Sequence, residues 1–225
     1  MKNNVRVDSG LNTYMAGIYR YMSLGLLCTG LVAYLPQMLS VQAQMTFYSL
    51  SSVSWLGTIG IAIYFAAALH KMRSDTAHTL FWVYAALMGV SLSTIFGIYN
   101  SYTIARAFFV TSATFGVMTV YGTVTKRDLT SLGSFAMMGL WGVIIAGFVN
   151  MLLRSPGLEF VLSVAGVIIF TGLIAFDTQR LRSMYYAMPH DNELRSKMSI
   201  VGALMLYMDV VNLFVSLLRL TGDRK

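Results

Sequence analysis

The feature that most constrains this chain is a succession of apolar runs, each close to twenty residues long and almost free of charge. Seven of them, at approximately 21–39, 50–69, 79–100, 104–124, 132–153, 158–179 and 199–219, can each bridge a hydrocarbon core of about 30 Å as a helix. Open strands would leave backbone groups unpaired in lipid. A closed barrel would need short alternating segments rather than continuous runs. The expected class is therefore all-α, a polytopic membrane protein with seven transmembrane helices. Composition agrees. The chain is 56% hydrophobic and 11% charged, with a mean hydropathy of +0.66. A soluble domain carries about 25% charged residues, so this one has too few to cover a surface facing water.

The expected organisation is a polar tail over residues 1–20 and a single transmembrane domain over 21–225. The first apolar run exceeds the roughly 7–15 residues of a signal-peptide core and has no small-residue cleavage site behind it. It reads as a retained span. Cys28 is the single cysteine, which rules out a disulfide framework. The formal charge of +7 does not point to nucleic acid, because excess Lys and Arg in a membrane protein collects in cytoplasmic loops.

That bias sets the expected orientation. With the N-terminus inside, the tail (Lys2, Arg6, Arg20) and three loops (Lys71, Arg73; Lys126, Arg127; Arg180, Arg182, Arg195, Lys197) hold 11 cations on the cytoplasmic side. Arg106, Arg154, Arg219, Arg224 and Lys225, 5 in all, fall outside. The basic C-terminus is discordant, and a re-entrant last segment would bring it inside. Seven full crossings are favoured because the last run is long enough to span. Small residues four apart, Ser112 with Gly116 and Gly142 with Ala146, suggest close helix packing at those positions.

Enzyme signatures are absent: there is no H-E-x-x-H, G-x-S-x-G, P-loop or G-x-G-x-x-G. His70, His78 and His190 fall at loops or helix ends and read as solvated or interfacial side chains. Cys28 and the 16 methionines read as packing. No catalysis and no tightly bound cofactor is expected.

The acidic residues say more. Most sit in tails, loops or helix ends. Asp209, in "ALMLYMDVVNLFVSLL", lies about ten residues into the last run, or roughly 15 Å along a helix. Asp177 closes the run "VIIFTGLIAFDTQ". A carboxylate at a helix centre costs about 2.5–3.5 kcal/mol on insertion scales, and such residues are functional by default. In the plainer reading, Asp209 accepts a hydrogen bond or meets an arginine and simply pins the last helix. In the functional reading, Asp177 and Asp209 approach across the last two helices. Two carboxylates in one site cannot both ionise cheaply, so such a pair titrates as a unit and holds one proton near neutral pH. Without that proton it repels itself and attracts a hard cation, most readily Ca²⁺. Contact requires the sixth helix to continue through "DTQRLRSMYY", with Arg180 and Arg182 snorkelling to the headgroups.

"GLIAFDTQRLRSMY" and "GALMLYMDVVNLFVSLLRLTGDRK", with "GLNTYMAGIYRYMSLGLL" and "YGTVTKRDLTSLG", resemble the Bax inhibitor-1 (transmembrane Bax inhibitor motif) family, over essentially the whole chain. The compact loops are closest to its bacterial inner-membrane branch. The resemblance implies a seven-helix bundle with the last helix central, and a pH-sensitive calcium leak sensed by Asp177 and Asp209. In some relatives an arginine at the cytoplasmic end of the second helix competes for the aspartate that Asp177 matches. Here "ALHKMRSD" offers His70, Lys71 or Arg73 for that part. Expected partners are the lipid bilayer, protons and Ca²⁺ as the transported ion. The alternative is a regulator without transport, which binds a membrane protease or stress-response complex through the 1–20 tail.

Overall fold

The computed structural model describes residues 2–68, 72–189 and 191–222, without the side chains of residues 2–8, 52, 66 and 192. The regular elements are all helical: α1 (Lys2–Tyr34), α2 (Val41–Ala68), α3 (Ser74–Leu92), α4 (Ile95–Ile98), α5 (Ser101–Val124), α6 (Thr130–Leu153), α7 (Pro156–Ala187) and α8 (Asn192–Thr221). A 3₁₀ turn, Leu35–Met38, follows α1. Seven segments are long and apolar enough to cross a membrane, with α3 and α4 together forming the third. The protein is an all-α polytopic membrane protein.

Several ends differ from the sequence expectation. No helix break falls at residue 20; α1 is continuous from Lys2, and Leu11, Tyr14, Met15 and Ile18 are buried. The third span breaks at Ser93, whose hydroxyl donates to its own helix at the Val90 carbonyl, 2.7 Å away. Ser and Thr hydroxyls that bond locally compete with helix geometry in this way. Helix α7 runs past Asp177 through Arg180 and Arg182 to Ala187, which is the continuation that a carboxyl contact requires.

The small-residue positions are a correction. A Cβ on Gly116 or Gly142 would meet nothing within 4 Å, so these positions do not bring helices together. Close approach occurs at other glycines. A Cβ on Gly89 would lie 2.8 Å from the Thr29 carbonyl oxygen of α1. One on Gly122 would overlap the Ala175 carbonyl oxygen, and one on Gly133 the Phe176 ring. Spacing alone does not say which face of a helix is turned to a neighbour.

The chain divides into two compact units. The first comprises residues up to Ile98 together with Ala187–Tyr207. In it α3 packs against both α1 and α2. The Tyr207 hydroxyl lies 2.6 Å from Thr29 Oγ1, which is itself 2.9 Å from the Ala85 carbonyl of α3. The second unit comprises Tyr99–Tyr186 and Met208–Lys225. Its core joins Ala136 of α6, Ile169, Phe170, Leu173 and Ile174 of α7, and Leu213 and Leu217 of α8. Of the seven spans α8 is the most enclosed, with 67% of its apolar window buried, and α6 the least, with 6%.

Candidate functional site: a carboxyl pair on α7 and α8

Buried positions on α7 recur every three or four residues, through Ser163, Gly166, Phe170, Leu173, Asp177, Leu181 and Tyr185. This is the stripe a helix turns toward its neighbours. Asp177 is therefore held on the packed face by the same periodicity that buries Leu173 and Leu181. On α8 the neighbours of Asp209 are Val210, Val211 and Leu213, all buried. Gly166 lets α7 and α8 approach closely, since a Cβ there would overlap the Ser216 hydroxyl.

Asp177 is 8% exposed and Asp209 5%. Their carboxyl groups lie within hydrogen-bonding reach of each other. Among the described residues no donor reaches Asp209 Oδ2, which is fully buried. Two polar side chains nearby in sequence bond to their own helices. The Thr178 hydroxyl donates to the Ile174 carbonyl at 2.7 Å, and the Asn212 amide to the Met208 carbonyl at 2.8 Å. The nearest charge on α7 itself is Arg180, one turn on, which acts on Asp177 electrostatically. Its guanidinium carbon is 6.0 Å from the Phe176 ring centroid. If both carboxyls are ionised, neither can donate to the other. One proton between them turns the repulsion into a hydrogen bond.

Of the three basic candidates in "ALHKMRSD", His70 and Lys71 lie outside the described residues. Arg73 precedes α3, and its guanidinium stands 4.0 Å from the Asp75 carboxylate with both side chains highly exposed. An exposed pair at that distance contributes little. His78 lies in α3 with its ring edge-on to Tyr21, centroids 5.2 Å apart.

Gln179, two residues past Asp177, is a residue that sequence reasoning passed over. Its side-chain oxygen accepts from the Leu129 amide and its nitrogen donates to the Arg127 carbonyl, both at 2.9 Å. The signal for it is its place in "FDTQ": an uncharged polar side chain one half-turn from a buried carboxylate.

A polytopic helical membrane protein with a carboxyl pair split between its last two helices is the class these features define. The family model described as inhibitor of apoptosis-promoting Bax1 matches residues 11–225, and the chain belongs to the Bax inhibitor-1 family. It is similar to an uncharacterised protein of Rickettsia prowazekii, 46% identical over 99% of this chain and 94% of the relative. It is also similar to the Escherichia coli inner membrane protein YbhL, 39% identical over 98% and 96% of the two chains. A further uncharacterised relative, from Borreliella burgdorferi, is 43% identical over 95% and 93%.

Proposed function

We propose that this protein is a proton-gated Ca²⁺ leak in which Asp177 and Asp209 act together as proton sensor and cation ligand. The observation that carries the reading is the pair itself: two buried carboxyls within reach of each other, with no described donor on Asp209 Oδ2. A single shared proton closes the pair through a hydrogen bond. Loss of that proton leaves two negative charges, which push α7 and α8 apart and draw in a divalent cation. Ca²⁺ takes 6–8 oxygen ligands, and two carboxylates supply at most about four of them. Among the described residues no cluster of three or more His, Cys, Asp or Glu adds to the set. A cation held by so few protein charges binds loosely enough to leave, which suits a leak better than a store.

The distribution of Lys and Arg, 11 against 5, supports a cytoplasmic N-terminus. The naming of the Escherichia coli relative as an inner membrane protein supports the same membrane for this chain.

The test is Ca²⁺ flux into liposomes carrying the purified protein, measured across pH. Flux is expected to rise as pH rises through the range where the pair loses its proton, and to fall on acidification. Asp177→Asn and Asp209→Asn should each cut the pH-dependent flux by about tenfold or more, since losing even an outer-shell partner costs about that much at metal sites. Unchanged flux and an unchanged pH profile in both variants would sink the proposal.

A further inference from the structure

The connection between α5 and α6 is fastened to the turn of α7 that carries Asp177. Gln179 holds it with both ends of its amide, accepting from Leu129 and donating to the Arg127 carbonyl. Arg182, almost one turn further on, donates through Nη1 to the Thr123 carbonyl at the end of α5. That carbonyl belongs to the last turn of α5, where backbone oxygens have no partner within the helix. Two glycines allow close packing at the same level: Gly122 lies against the Ala175 backbone carbonyl and Gly133 against the Phe176 ring. Residues 175–182 of α7 are thus gripped from three sides: the end of α5, the connection and the start of α6.

We infer that Gln179 and Arg182 are positioning residues, a clasp that sets where the Asp177 carboxyl stands relative to Asp209. The inference rests on the reading of that pair as a cation site. Neither side chain belongs to the pair. A helix turn moves as a unit, however, so loosening its anchor displaces the carboxyl two residues away. The charged groups around this turn are Asp209 on α8, Arg180 on α7, and Lys126, Arg127 and Asp128 on the connection, the last three exposed. Asp128 accepts from the Thr130 amide and hydroxyl, which holds its carboxyl below the usual range. It therefore stays ionised near neutral pH. Gln179→Leu and Arg182→Lys leave all of these groups in place and keep the net charge, so their effects report geometry.

Two measurements on the full-length chain test the clasp. In liposomes, Gln179→Leu should raise the Ca²⁺ concentration for half-maximal flux by about tenfold, the low end of what losing a positioning partner does at a cation site. Arg182→Lys, the milder change, should move it in the same direction and serves if Gln179→Leu does not fold. The second measurement needs no transport. The melting-temperature change caused by Asp177→Asn should differ between the native background and Gln179→Leu, whereas it should add simply with that of Leu217→Ala in the core of the same unit. Additive shifts with Gln179→Leu overturn the inference even where flux falls, because the clasp then only supports the fold. An unchanged half-maximal concentration in both variants overturns it as well. If the native protein conducts no Ca²⁺, the proposed function falls and the melting cycle alone decides the clasp.

Discussion

Among the described residues no donor reaches Asp209 Oδ2, and its neighbours on α8, Val210, Val211 and Leu213, are buried and apolar. Tyr207, two positions earlier, is the contrast. It is fully buried, and its hydroxyl pairs with Thr29, which in turn reaches the Ala85 carbonyl. This network ties α1, α3 and the first half of α8 within one unit. Tyr207→Phe is expected to lower stability by about 0.6 kcal/mol, and by no more than about 1.7, the span measured for hydrogen bonds between membrane helices. Thr29→Val should cost more, because it leaves the buried phenol without that partner. Unfolding in mixed micelles measures both. Sequence singled out Asp177 and Asp209 because an ionised group in an apolar run is conspicuous. It could not single out Tyr207 or Thr29, since a tyrosine or threonine in such a run is ordinary and its partner lies far away in the chain. Gln179 falls between these cases: visible in the motif, but without a role until the Arg127 carbonyl is seen beside it.

At the scale of elements, the runs of apolar residues foretold all seven spans but placed several ends wrongly. A hydropathy reading stops at the first charge, whereas a helix ends where its backbone hydrogen bonds end. Arg180 is exposed, and Arg182 is half-buried with its guanidinium on the α5 backbone, so neither interrupts α7. The tail assigned to residues 1–20 likewise looked separate because it is polar, yet from Lys2 onward it is itself part of α1. Packing partners were less legible than spans. Glycine spacing suggested contacts at Gly116 and Gly142, where there is open space, and gave no hint of Gly122. Gly122→Ala should be among the more damaging single-atom additions in the molecule. The new methyl group would strike a backbone carbonyl, and overpacking of this kind costs about 1–3 kcal/mol. Gly116→Ala, facing open space, serves as the neutral comparison in the same thermal-melting measurement. Equal melting temperatures for the two variants would contradict the close approach of α5 and α7.

For the whole molecule, seven full crossings, the arrangement favoured by the length of the last apolar run, would put the two termini on opposite sides of the membrane. With the N-terminus cytoplasmic, a cysteine at position 3 should be shielded from an impermeant thiol reagent in intact cells, while one at position 222 reacts. The test uses a Cys28→Ser background. The reverse pattern would overturn the orientation inferred from the Lys and Arg count, and labelling at neither end would favour a re-entrant last segment. Burial is very uneven among the spans. Little of α6 is covered by protein, while its N-terminal end lies against α7 through Gly133 and Phe176. At 24 residues and about 1.5 Å per residue, it is somewhat longer than a hydrocarbon core of about 30 Å is thick. A helix in that situation adapts to a thinner membrane by tilting. Acyl-chain length is thus expected to act on the inclination of α6, the span with the smallest buried share.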